Sequence, residues 1–199
     1  GQINVGYPRV IYREDNADDM VSKQYVQRFL DATKADMFFA NKLIFVEGVA
    51  EELLLPVFAR YLNKSLTDEH VLVVNMGGRY FNHFLKLFDT NNPYTINKKI
   101  VCLTDVDPCR KKNGPDEEYE ACYPYEYNID TDNYDYKHHA DAVVAKYATH
   151  PNIRFYRQDV TYGKTLEYDI MRENPDCELL LTNSVSNLKE IKAMMAERD

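Results

Sequence analysis

From Leu43 onward, short apolar runs alternate with amphipathic stretches: LIFV, EELLLPVFARYLN, HVLVVN, YFNHFLKLFD and KIVCLT. Strands buried on both faces read as continuous Val, Ile and Leu. The alternation therefore predicts βαβ units and a mostly parallel, Rossmann-like α/β sheet flanked by helices. Pro56 removes one backbone donor inside the first helical stretch and is expected to kink or restart that helix. Upstream, ADDMVSKQYVQRFLDA is helix-compatible with apolar positions Val21, Tyr25 and Leu30, so residues 1–40 read as a helical lead-in. The pattern breaks at Pro108, after which a long surface loop is expected. Order returns with a helix near HHADAVVAKYATH, a strand near IRFYR, a helix from about Lys164 to Arg172 and a last one near NLKEIKAMMAERD.

Composition changes the picture in one place. The chain has 199 residues and a net charge of -8, which argues against a phosphate-bearing partner until the charge is located. Residues 116–136, DEEYEACYPYEYNIDTDNYDY, hold eight acids and six tyrosines with no lysine or arginine. Without that stretch 24 acids face 24 lysines and arginines, so the rest of the chain is neutral. This insertion, about 108–136, reads as a mobile solvated loop. No apolar run reaches the length of a membrane span. Four cysteines without CxxC spacing (Cys102, Cys109, Cys122, Cys177), and no signal-peptide pattern, predict a reducing, cytoplasmic setting and no zinc site.

In open parallel sheets, ligands bind outside the carboxyl ends of the strands. Glu47 ends the LIFV strand and Glu51 lies in the helix that follows. Asp105 and Asp107 end KIVCLT at a spacing that shares a face in an extended chain. Four carboxylates in one crevice repel unless a cation neutralises them, and hard divalent ions such as Mg2+ or Mn2+ take oxygen ligands. Two such ions would suit an in-line phosphoryl displacement. Other groupings are weaker. His138, His139 and Asp141 carry no metal spacing, DTDNYDYKHHAD lacks the glycine and final glutamate of a calcium loop, and Asp105 taken alone reads as a helix cap.

Four blocks in order, FFANKLIFVEGVAEELLLP, VVNMGGRYF, IVCLTDVD and KTLEYDI, resemble the Toprim nuclease domain of OLD-family ATP-dependent endonucleases from about Phe38 to Ile170. The resemblance implies a Toprim fold over about 41–175, with 176–199 a truncated helical segment, and metal-dependent nicking or cleavage of DNA. It implies Glu47, Glu51, Asp105, Asp107 and Glu167 as metal ligands, with Glu47, Asp105 and Asp107 at the catalytic centre, and two Mg2+ or Mn2+ ions. It matches Gly77 and Gly78 to the family's glycine pair. Arg79 and Lys164 are candidate phosphate contacts, although an exposed arginine is more often an ion-pair partner.

Two departures accompany it. Complete family members carry an amino-terminal ABC-type ATPase domain, whereas here QDVTYGKT has Gln158 where a P-loop needs its first glycine. ATP would then act only through a domain outside this chain, which reads as an excised nuclease part, compatible with a homodimer. The family's late lysine has no counterpart in a recognisable block: Lys189 and Lys192 are the only later lysines, so it is expected beyond Asp199. Two other readings remain. One is a haloacid-dehalogenase-like phosphatase with Asp105 as nucleophile; the other is a non-catalytic regulatory or dimerising Toprim-like domain.

Overall fold

The structure, a computed structural model, describes residues 11–13, 15–30, 35–176 and 186–196. Cys177, the first ten residues of the lead-in and residues 197–199 lie outside them. The chain divides into two compact units, Gly1–Thr104 with Val143–Tyr156, and Asp105–Ala142 with Arg157–Asp199.

The first unit holds a four-stranded sheet of β1 (Lys42–Val46), β2 (Val71–Asn75), β3 (Lys99–Leu103) and β7 (Ile153–Tyr156), ordered β2-β1-β3-β7. All three pairings are parallel, with Ile44 opposite both Val73 and Val101. β1 is thus central, and its Leu43, Phe45 and Val46 are buried. Among the described residues, four helical segments belong wholly to this unit. They are α1 (Ala17–Phe29), a 3-10 turn (Ala35–Phe38), α2 (Val49–Tyr61) and the short α3 (Phe81–Leu85). α1 starts at Asn16, whose side chain accepts the Asp19 N–H. Phe81, Phe84, Leu85 and Phe88 pack with Val26, Phe45, Cys102 and Phe155 into one core. α2 runs unbroken through Pro56, contrary to the expected restart, and buries none of its residues fully.

The second unit departs further from expectation. Residues 108–138 are not a loop: β4 (Pro108–Lys112), β5 (Glu120–Ala121) and β6 (Tyr134–His138) form an antiparallel sheet ordered β5-β4-β6. The register sets Arg110 opposite both Glu120 and Tyr136, and Lys111 opposite Asp135. Arg110 pairs with Glu120 at 2.9 Å and Glu126 at 3.2 Å. The Lys137 ammonium lies 3.5 Å from the centroid of the Tyr119 ring. The cations that order the acidic stretch therefore flank it in sequence, and tyrosine suits a half-exposed strand. α4 (Asp141–Tyr147) begins in this unit and ends in the first. α5 (Leu166–Glu173) and α6 (Leu188–Ala196) follow, with Tyr168 packed among Tyr123, Met171 and Ile191. Among the described residues no helix is long and apolar enough to cross a membrane.

Candidate functional site

Within the first unit, Glu47 follows the last residue of the central strand, and Thr104 follows the last residue of β3 beside it. Because the strands are parallel, both leave the sheet at its carboxyl edge. The buried Thr104 hydroxyl donates to Glu47 Oε1, and Arg79 Nε stands 3.8 Å from Glu47 Oε2. The glutamate's backbone is fixed by the glycine pair: Gly78 N–H donates to Glu47 O at 2.7 Å, and Met76 N–H to Val46 O at 2.8 Å. Gly77 and Gly78 have φ of +70° and +123°, and a Cβ on Gly78 would sit 3.0 Å from the Tyr80 ring. Only glycine adopts that turn without strain, which allows the close backbone approach.

Glu51 is the third residue of α2, and its Oε2 accepts the N–H of the N-cap Gly48 at 3.1 Å. The spacing that suggested a shared face with Glu47 also makes half of a capping box.

Within the second unit, Asp105 Oδ1 accepts from Gln158 Nε2 at 2.5 Å, while Gln158 Oε1 accepts the Val106 N–H at 2.8 Å. Asp107 sits in the left-handed region at φ +43°. Its N–H donates to Lys164 O at 3.2 Å, and its carbonyl accepts from His139 N–H and the Cys109 thiol. Lys164 Nζ donates to Cys122 O at 2.7 Å and lies 4.6 Å from the centroid of the Tyr123 ring. Glu167 is exposed in the first turn of α5, capped by Thr165. Its neighbour Asp169 is half-buried and accepts the Lys164 N–H at 3.2 Å. Burial raises its carboxyl above the ordinary value against the pull of that hydrogen bond.

Among the described residues, no three His, Cys, Asp or Glu side chains form a group able to hold a metal as they stand. The donors fit a hard divalent ion in kind, since the candidates are all carboxylates, with an oxygen of Glu47 fixed by a neutral hydroxyl and one of Asp105 by a neutral amide. Thr104 and Gln158, which donate hydrogen bonds to two of these acids, are not among the residues the sequence pattern singles out as site candidates. Thr104 lies inside the IVCLTDVD block, and Gln158 stands where a P-loop needs its first glycine.

Residues 38–107, carrying Glu47, Glu51, the glycine pair, Asp105 and Asp107, match the family model described as overcoming lysogenization defect protein-like, TOPRIM domain. Over these residues the chain carries an OLD-like Toprim domain. Its four-stranded parallel sheet flanked by helices is the Toprim fold. Similar solved structures include the C-terminal region of the Burkholderia pseudomallei OLD protein, at 19% identity and a TM-score of 0.47 over 80% of this chain and 74% of that one. The C-terminal region of the Xanthomonas campestris pv. campestris OLD protein follows at 21% and 0.43, over 81% and 74%. No curated protein matches the chain significantly.

Proposed function

We propose that this OLD-like Toprim domain is the nuclease part of an ATP-dependent DNA endonuclease and hydrolyses phosphodiester bonds with Mg2+ or Mn2+. What supports the reading most is the hydrogen bond from Thr104 to Glu47. It ties the acid ending the central strand to the residue immediately before Asp105, inside the matched segment. Glu47, Glu51, Asp105, Asp107 and Glu167 would hold the ions. A bound pair of hard divalent ions supplies an activated water and stabilisation of the attacking and leaving oxygens.

The chain's own groups orient and neutralise. Thr104 donates to Glu47, and Gln158 donates to Asp105. Arg79, 3.8 Å from Glu47, and Lys164, whose ammonium donates to Cys122 O, are the two candidate phosphate contacts. An ABC-type ATPase domain in the full-length protein is the partner through which ATP would act.

Plasmid nicking with Mn2+ tests the reading. The chain should convert supercoiled to open-circular DNA, alone or within its full-length protein. Asp105→Ala should lower the rate by two orders of magnitude or more, as about 3 kcal/mol of lost transition-state stabilisation requires. Nicking that survives this substitution removes the mechanism.

A further inference from the structure

The Gln158 side chain uses both ends of its amide. Its carbonyl oxygen accepts the Val106 N–H at 2.8 Å, and its NH2 donates to Asp105 Oδ1 at 2.5 Å. The amide has one consistent orientation, because a carboxylate cannot donate and a backbone N–H cannot accept. Val106 is fully buried, so the N–H that Gln158 satisfies has no ready substitute in water. The turn that launches the side chain is equally constrained. Gly163 N–H closes it onto Asp159 O at 2.7 Å, and a Cβ on Gly163 would press against Gln158 Cβ and come within 2.6 Å of Asp159 O. Glycine at 163 thus leaves room for Gln158.

We propose that Gln158 is a positioning residue for the Asp105 carboxylate, setting the rotamer in which Asp105 offers its oxygens to a divalent cation. The proposal rests on the nuclease reading above. An uncharged donor is the chemistry this task calls for. It fixes one carboxylate oxygen without neutralising the charge that attracts the ion, as an arginine or lysine there would do. The same amide anchors the backbone between Asp105 and Asp107, so one side chain holds the carboxylate and the chain that carries its partner.

Mn2+ binding to the purified chain, followed by calorimetry, tests this alongside nicking. Gln158→Leu should weaken Mn2+ binding about 10- to 100-fold, the usual effect of losing a group that orients a metal ligand. Equal Mn2+ affinity in Gln158→Leu, with binding lost in Asp105→Ala, overturns the positioning role and leaves the nuclease reading intact. Mn2+ binding indifferent to Asp105→Ala overturns both.

Gln158→Leu also strands the Val106 N–H, so a measurement on the unaltered chain guards against a folding defect. In amide NMR, adding Mg2+ should shift the Gln158 side-chain NH2 signals together with the Asp105 backbone signal, and in Asp105→Ala the NH2 signals should stay fixed. NH2 signals that do not move while the Asp105 backbone responds would rule the proposal out.

Discussion

Glu51 serves its own helix before any cation. Its carboxylate closes α2 onto the Gly48 N–H, so charge and hydrogen bond can be separated by substitution. Glu51→Gln keeps an acceptor and should leave the denaturation midpoint nearly unchanged while reducing the thermal stabilisation given by Mn2+. Glu51→Ala loses both and should cost about 1 kcal/mol in chemical denaturation. Asp107 poses the converse case. At φ +43° a non-glycine residue is strained by roughly 1 kcal/mol, and aspartate is among the few that tolerate it. The Lys164 carbonyl, the His139 N–H and the Cys109 thiol, all bonded to its backbone, hold it there. Asp107→Gly should therefore leave stability unchanged or slightly raised while nicking is lost. Asp107→Val, which cannot relax into that region, should lower the melting temperature. A glycine variant that nicks normally would take Asp107 out of the chemistry and leave its backbone conformation a feature of the fold alone.

At the scale of elements, α1 and the chain just before it join the sheet through polar contacts as well as core packing. Lys86 donates to Asp19 at 2.6 Å, Ser22 Oγ lies 2.9 Å from His83 Nδ1, and Tyr12 donates to His83 O at 2.7 Å. Burial holds the His83 imidazole below its ordinary value of 6.5. The unfolded chain then takes up a proton that the folded chain resists, so stability falls as pH drops from about 6.5 towards the folded value. Asp19 is pushed up by burial, but Lys86 and Arg13 outweigh this and hold it below 3.8. Its contribution is intact above that value and lost only as pH falls further. Melting temperatures at pH 7 and pH 5 should differ less in His83→Asn than in the unaltered chain. An equal difference would exclude His83 as a source of the slope. The strands and helices of this unit were legible because Val, Ile and Leu runs mark parallel strands without regard to what packs on them. The sheet at 108–138 was not, because its strands are polar and its ordering cations, Arg110, Lys111 and Lys137, stand just outside the stretch whose composition resembled a solvated loop. At Pro56 the helix does not restart: α2 continues through it because a single missing donor does not end a helix docked on a sheet. Glu47, Asp105 and Asp107 were legible as carboxylates close after strand ends. Their holders were not, since Thr104 and Gln158 act through contacts 57 and 52–53 residues away in sequence.

For the whole molecule, the net charge of -8 bears on the proposed DNA substrate. On the nuclease reading, affinity from lysine and arginine alone should be weak, and binding should depend on divalent cations held by the candidate carboxylates. The surplus lies on the second unit, whose sequence has 20 acids against 10 lysines and arginines. Arg110 and Lys111 engage Glu120, Glu126 and Asp135, whereas Asp116, Glu117 and Glu118 stand together on an exposed turn. Replacing these three by Asn, Gln and Gln brings the net charge to -5 without touching a strand or a candidate metal ligand. If the turn repels the substrate, fluorescence anisotropy with Mg2+ present should show DNA binding tightened about three- to tenfold at roughly 0.05 M salt. The gain should fade towards 1 M, where the screening length shrinks from about 10 Å at 0.1 M to about 3 Å. The turnover of bound DNA should not change, because the substituted groups act on the approach of the phosphates and not on the reacting bond. Affinity that stays constant at low salt would place the turn beyond the reach of the bound strand. Weaker affinity would show that these acids support the DNA-bound form, and the surplus charge would then need a role other than repulsion.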